Sequence, residues 1–261
     1  MTEAKAKDGA ENVEELAEGT LLSHLVELRA RLLKMAAAVM VVFIALLPFS
    51  RTIFELVSQP LRAVLPGSAM IATAVASPLL TPFKLTFFVA LFIAMPVVLY
   101  QDWAFVAPGL YKREKRFALP LLGSSILLFY LGIAFAYFVV FPLMFGFFTS
   151  IAPEGVEVQT DIAQFLDFVM MIVFAFGIAF EVPIATVLIV WTGLTTVEKL
   201  AKVRAYVFLG AFIIGMFLTP PDVLSQTLLA IPIFVLYELG ILMAKLFAPR
   251  EEPEPDTEAS K

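Results

Sequence analysis

The stretch FALPLLGSSILLFYLGIAFAYFVVFPLMFGFF, from Phe117 to Phe148, runs for 32 residues without one charged side chain. About 20 apolar residues in an α-helix cross the hydrocarbon core of a bilayer, so this stretch predicts a membrane span. The whole chain of 261 residues is 61% hydrophobic and 16% charged, with a mean hydropathy of +0.92. Soluble domains are about 45–50% apolar and about 25% charged. This composition excludes a soluble enzyme and a disordered protein, and the net charge of −5 argues against a nucleic-acid binder.

Apolar runs bounded by charge clusters recur six times along the chain. They occupy residues 32–49, 85–100, 117–148, 165–191, 207–218 and 228–247. The fifth is the weakest prediction, because runs of about 10–14 residues are often buried or re-entrant. We predict an all-α polytopic membrane protein with six transmembrane helices in one domain, residues 20–248. The polar tails, residues 1–19 and 249–261, are predicted to be disordered.

The basic residues predict the orientation of these spans. Fifteen of the 18 Lys and Arg residues fall in the N-terminal segment, the second-to-third and fourth-to-fifth connections, and the C-terminal segment. Only Arg51, Arg62 and Lys84 fall on the other side. Cytoplasmic loops carry the excess of Lys and Arg, so both termini are predicted to be cytoplasmic. The first 19 residues are too polar for a cleavable signal peptide. With no Cys and one His, neither a cofactor nor a metal site is expected.

Segments outside the spans have patterns of their own. Leucines 21, 25, 28 and 32 form one apolar stripe and predict a membrane-surface helix before the first span. Glu27 precedes Arg31 by four residues, the favourable order for a surface ion pair. The outer connection over residues 51–83 predicts one or two short helices. Together with residues 149–164 it can form an outer cap, although simple loop packing fits the pattern as well.

Glu181 is an acid inside an apolar run. Ten residues separate it from the interfacial Trp191, which places the carboxyl group near the midplane of the bilayer. Pro183 has no N–H, so the carbonyl of Ala179 loses its helical partner. The pattern predicts a bent span with a polar notch. It fits either a functional group, such as the carrier of a proton- or ion-coupled small-molecule transporter, or a hydrogen bond between helices.

The fifth and sixth runs meet at Thr219-Pro-Pro-Asp222. Asp222 is predicted to cap the N–H of Ser225, and Thr219 and Gln226 are positioned to hydrogen-bond an incoming helix. Glu238, inside the sixth run, is expected either to reach toward water or to pair with a neighbour. An intramembrane enzyme is not supported, because no nucleophile or metal constellation is visible.

Five stretches together resemble the TatC family, the multispanning subunits of the twin-arginine protein translocase. They are SHLVELR (23–29), FKLTF (83–87), YQDWAFVAPGLYKRE (100–114), FGIAFEVP (176–183) and GMFLTPPDVLSQ (215–226). The resemblance extends from about residue 21 to residue 245. It implies a concave bundle with short fifth and sixth helices and a periplasmic cap, in the bacterial inner membrane. It also implies a receptor, not an enzyme, that recognises the Arg-Arg pair of signal peptides on folded cargo.

The resemblance also assigns roles to individual residues. It implies that the carboxylates of Glu27 and Glu114 receive the two arginines, and that Glu181 faces the concave wall inside the membrane. The implied neighbours of the carboxylates are Arg29, Arg31, Leu21 and Phe105, the implied docking residues for TatA or TatB helices are Met216, Thr219 and Gln226, and Pro60 and Asp222 match residues needed for transport. The implied partners are TatA, TatB, the signal peptides, membrane lipid and further copies of the chain. Proton-motive force is the implied energy source.

Overall fold

The computed structural model describes residues 25–62, 70–106, 118–151, 161–219 and 222–247. Apart from one isolated bridge, the regular structure in these ranges is helical, which confirms the predicted all-α class. The helices are α1 (25–46), α2 (Ser50–Arg62), α3 (Ser77–Val106), α4 (Ala118–Phe135), α5 (Phe141–Ile151), α6 (Ile162–Ala179), α7 (Val182–Trp191), α8 (Val197–Lys202), α9 (Arg204–Leu218) and α10 (Val223–Phe247).

The helices match the six predicted apolar runs. In the described ranges, five segments are long and apolar enough to cross a membrane: Leu25–Ser58, Ser77–Phe105, Leu119–Phe148, Ile162–Trp191 and Val223–Leu246. The fifth predicted run is α9, a shorter apolar helix of 15 residues that rises about 22 Å. The implied short sixth helix is wrong, because α10 has 25 residues. It begins at Val223, directly after the capping residue Asp222, one turn before the predicted apolar run.

Two expected boundaries near the N-terminal end also differ from the structure. The stretch predicted as a separate surface helix is continuous with the first span, because α1 already includes Leu25 and Leu28. Helix α3 starts at Ser77, inside the predicted outer connection. Pro78 occupies its first turn, where a missing N–H costs no helical hydrogen bond. The helix predicted in that connection is confirmed as α2, which follows a 3₁₀ turn over Leu47–Phe49.

The third span changes helix type midway. A π-helical segment, Ala136–Val140, joins α4 to α5. Pro142 follows it and cannot donate a hydrogen bond to the carbonyl of Phe138. A π segment beside a proline absorbs the missing bond without ending the helix.

The described helices form two compact units. The first contains α1, α2, α3 and residues 161–163. Its interior includes Val39, Phe54, Leu85 and Trp103. Asp161 joins the two outer connections within this unit: its Oδ2 accepts hydrogen bonds from the backbone N–H (2.9 Å) and the hydroxyl (2.7 Å) of Thr73. The expected contact between these connections is therefore present at this point.

The second unit contains α4, α5, α6 from Gln164, and α7 to α10. Helix α10 makes its most extensive contacts with α7 and α9. Gly240 of α10 lies so close to α7 that an added Cβ would sit 2.9 Å from Pro183 Cα and 2.9 Å from Thr186 Oγ1. Small residues let membrane helices approach closely. This matters because in lipid the helices associate through van der Waals packing and not through the hydrophobic effect.

Large apolar side chains remain exposed on both units. Leu56 is 71% exposed in the first unit, and Phe138 and Phe217 are 72% and 74% exposed in the second. Soluble monomers seldom expose so much apolar surface. Hydrocarbon solvates these side chains without cost, so lipid is the solvent that this surface fits.

The close contact at Gly240 leaves no room for a methyl group on its Cα. We expect Gly240→Ala to lower the melting temperature of the detergent-purified chain, because overpacking costs about 1–3 kcal/mol. Gly210→Ala is the matched control, since a Cβ there meets nothing within 4 Å. Size-exclusion chromatography after heating measures both variants. Equal melting temperatures for the two variants would contradict the close α7–α10 contact.

Candidate functional site

A charged cluster lies at the start of α1. Arg31 donates from Nε (2.9 Å) and Nη2 (2.6 Å) to the same oxygen, Oε1, of Glu27. The ion pair predicted from the spacing of four residues is therefore confirmed. Arg31 also reaches Gln101 on α3, with Nη1 at 3.4 Å from Oε1 of Gln101. Gln101 lies in the quoted motif at residues 100–114, but its spacing alone gave no signal for this contact.

The geometry of this cluster leaves acceptor capacity on Glu27. The Glu27 side chain is 40% exposed, whereas Arg31 is 19% exposed. Only Oε1 is engaged by Arg31, so in the described part of the chain Oε2 has no assigned donor. A carboxylate can accept a second cation while it retains the first. Exposed ion pairs contribute only about 0–1 kcal/mol, so the Arg31 contact is readily shared or exchanged.

The structure places some of the other predicted patch residues. Arg29 is exposed on α1, and Phe105 is half-buried near the end of α3. Leu21 and Glu114 lie outside the described residues. Pro60 lies in α2, but its side chain is not among those described. The structure therefore brings Glu27, Arg31 and Gln101 together.

A second polar group interrupts the fourth span. Helix α6 ends at Ala179 and α7 begins at Val182, so Phe180 and Glu181 form the break. The backbone carbonyl of Glu181 accepts from Ala185 N at 2.9 Å and starts the next helix. The break predicted from Pro183 is therefore confirmed, and it includes Glu181 itself.

Ser125 on α4 is the hydrogen-bond partner of the Glu181 side chain at this break. Its side chain is fully buried, and its hydroxyl donates to Oε2 of Glu181. The other oxygen, Oε1, is buried with no hydrogen-bond partner among the described residues. Ser125 was not predicted as a site residue. The available signal was the pair Ser124-Ser125 in the middle of the uncharged run at residues 117–148.

The junction between α9 and α10 is held by local hydrogen bonds. Asp222 Oδ1 accepts from Ser225 N at 2.7 Å, which confirms the predicted cap. The buried Thr219 hydroxyl donates to Gly215 O at 2.9 Å. Its proton is therefore used inside α9, and only its oxygen can still accept a bond. Met216 is 52% exposed, and Gln226 is half-buried.

The chain is similar to one protein family and to named relatives within it. The profile of the family described as "Sec-independent protein translocase protein (TatC)" matches residues 23–232. The TatC protein of Azotobacter chroococcum is 60% identical over 234 residues, covering 89% of this chain and 92% of that protein. The Escherichia coli K12 protein is 59% identical over 228 residues, covering 87% and 88%.

The fold agrees with that of a solved relative. A crystal structure described as the twin-arginine translocase receptor TatC matches with a TM-score of 0.77 at 39% identity, covering 85% of this chain and 98% of that one. The six-span class is thus confirmed, and a protein-translocating role replaces the small-molecule transporter alternative. The apolar helices, the broken fourth span and these matches agree: the chain is a multi-pass membrane protein of the TatC family, a component of a Sec-independent protein translocase and not an enzyme.

Proposed function

We propose that this chain recognises Arg-Arg signal peptides at its cytoplasmic face and, with TatA and TatB, exports folded proteins across the inner membrane. The observation that carries the proposal is the Glu27 carboxylate, which is partly exposed and held through one oxygen by Arg31. Proton-motive force drives the later transport steps in this account.

The first step is docking of the arginine pair. One signal-peptide arginine contacts Glu27 and the other contacts Glu114. Arginine presents a planar fork that grips a carboxylate with two N–H groups, whereas lysine is a point charge. Arg31 positions the Glu27 carboxylate for this contact, and Arg29, Leu21 and Phe105 flank it. Because exposed pairs are weak, burial of the apolar segment of the signal peptide supplies the remaining affinity.

The second step is entry of the apolar segment toward Glu181. The carboxyl group is held by Ser125, and its second oxygen remains unpartnered among the described residues. An unpartnered polar atom in a membrane span is costly, so a polar or backbone donor that reaches it gains free energy. This gain favours insertion of the peptide beside the break.

The third step involves partner helices. TatA or TatB helices dock along the exposed side of α9 and the start of α10. Met216 supplies apolar contact and Gln226 supplies a hydrogen-bonding group, while the buried Thr219, bonded to Gly215 O, fixes the end of α9 at this docking surface. Asp222 contributes by fixing the first turn of α10 through its cap. Pro60 acts in the outer segment α2.

Docking can be tested by peptide binding. We expect Glu27→Ala together with Glu114→Ala to reduce binding of an Arg-Arg signal peptide to the purified chain roughly fivefold to tenfold, because two ion pairs of about 0–1 kcal/mol each are lost. Fluorescence anisotropy with labelled peptide measures the affinity, and a Lys-Lys peptide gives the background. Glu198→Ala removes an exposed acid outside the patch and serves as the matched control. Equal affinity of the double variant and the control variant would exclude the docking patch.

The role of the membrane break can be tested separately from docking. Glu181→Ala should impair transport into inverted membrane vesicles while peptide binding at the surface stays unchanged. Ser125→Ala should reduce transport in the same direction but less, since the carboxyl group remains. Ser124→Ala is the matched control, because the Ser124 hydroxyl bonds only to Pro120 O of its own helix at 3.0 Å. Loss of surface docking in the Glu181 variant would contradict the assignment to a later step.

The orientation has a direct chemical test, because the natural chain has no cysteine. A single cysteine replacing Glu157 should react with a membrane-impermeant maleimide added outside the inner membrane. A cysteine replacing Glu198 should react only after the membrane is opened. The reverse labelling pattern would place the termini outside the cytoplasm.

A further inference from the structure

A cavity of about 450 Å³ lies in the second unit, beside the start of α9 and the final turns of α10. In the described part of the chain, three charged side chains line it: Arg204, Glu238 and Lys245. Its remaining lining is apolar and includes Val235, Leu239 and Leu242. None of these residues has a role in the proposed docking, insertion or partner steps. A cavity with a charged rim and an apolar wall suits an amphiphile.

The charged groups at the rim do not fully neutralise one another. Arg204 Nε lies 2.7 Å from Glu238 Oε1, so of the two alternatives for Glu238 the structure has the pairing with a neighbour. Oε1 nevertheless has no aligned hydrogen-bond donor, so the contact is an ion pair without a directed N–H bond. Arg204 is 48% exposed and retains N–H groups for another acceptor. One acid therefore faces two cations in the lining of this cavity.

Helix α8 adds positive charge at the same end of the unit. The hydroxyl of Tyr237 on α10 donates to Leu200 O of α8 at 2.9 Å, which ties the two helices together. The last turn of α8 carries Lys199 and Lys202. Among the described residues at this end, four cations against Glu198 and Glu238 give a positive local balance, although the whole chain has a net charge of −5. This end therefore attracts anions.

The apolar wall continues from the charged rim along α10. Val235, Leu239 and Leu242 follow helical spacing and are 48%, 46% and 53% exposed. Phe234 closes the cavity from the α9 side, with its ring centroid 5.2 Å from that of Phe208. Residues at this spacing form a continuous stripe that an extended acyl chain can follow.

We propose that this cavity is a binding site for an anionic phospholipid. The lipid phosphate lies between Arg204 and Lys245, and an acyl chain follows the stripe at Val235, Leu239 and Leu242. The charge balance selects an anionic over a zwitterionic headgroup, and the apolar wall selects a lipid over a free anion. Glu238 limits the affinity, because it repels the phosphate and holds part of Arg204.

The test uses the purified full chain in neutral detergent. Native mass spectrometry measures retention of phosphatidylglycerol and of phosphatidylcholine with the same acyl chains. We expect preference for phosphatidylglycerol, and a loss of roughly fivefold in its apparent affinity for Lys245→Gln. Glu238→Gln should instead tighten phosphatidylglycerol binding severalfold, a change that a merely structural role of the ion pair would not produce.

Controls separate this site from general surface charge. Lys199→Gln makes the same charge change at the same end of the unit but outside the cavity lining, and it should alter affinity less than twofold. Equal losses for Lys199→Gln and Lys245→Gln would overturn the proposal. Equal binding of the two lipids, or displacement of phosphatidylglycerol by inorganic phosphate, would overturn it too. Because Lys245 is exposed and outside the Arg204–Glu238 ion pair, Lys245→Gln should keep the elution profile of the folded chain.

Discussion

The rest of the structure depends on one constraint: a polar group in hydrocarbon must find its partner inside the protein. Helices satisfy their own backbone, which is why the described elements of this very apolar chain are helical. Two buried hydroxyls follow the same rule. Thr86 donates to Pro82 O and Thr186 to Val182 O, both at 2.7 Å and one turn back on their own helices. At the break at Phe180–Glu181, by contrast, the partner of the carboxyl group, Ser125, comes from another helix.

In the proposed mechanism, this contact between helices gives the break its functional role. A carboxyl group with one satisfied and one unpartnered oxygen favours whichever donor reaches it next. The cluster at Glu27 and Arg31 has the opposite character, since it is partly exposed, weakly held and exchangeable. In the proposed mechanism, the weak surface contact selects for arginine and the group inside the membrane favours insertion, as suits a receptor that first binds a peptide and then admits it.

The lengths of the apolar runs predicted most of the fold, because the thickness of the bilayer sets the length that a spanning helix needs. The ion pair of Glu27 with Arg31 and the cap of Asp222 on Ser225 followed from helical spacing. Helix boundaries were less predictable. Helix α3 starts at Ser77 and α10 at Val223, and these starts depend on caps and first-turn prolines, which a search for apolar runs does not detect. Ser125, Gln101 and Arg204 were missed as partners, because contacts between distant segments leave no periodic signal. The role of Glu114 came from the family resemblance.

The central claim is that docking at Glu27 and Glu114 precedes entry beside Glu181. The most direct measurement is photocrosslinking of an Arg-Arg cargo in membrane vesicles, with a photoreactive residue at Leu28 or at Ile178, which are 42% and 50% exposed. The account predicts crosslinks at both positions, loss of both when Glu27 and Glu114 are replaced by Ala, and loss of only the Ile178 crosslink in Glu181→Ala. A crosslink at Ile178 that persists after Glu27 and Glu114 are replaced by Ala would contradict the account.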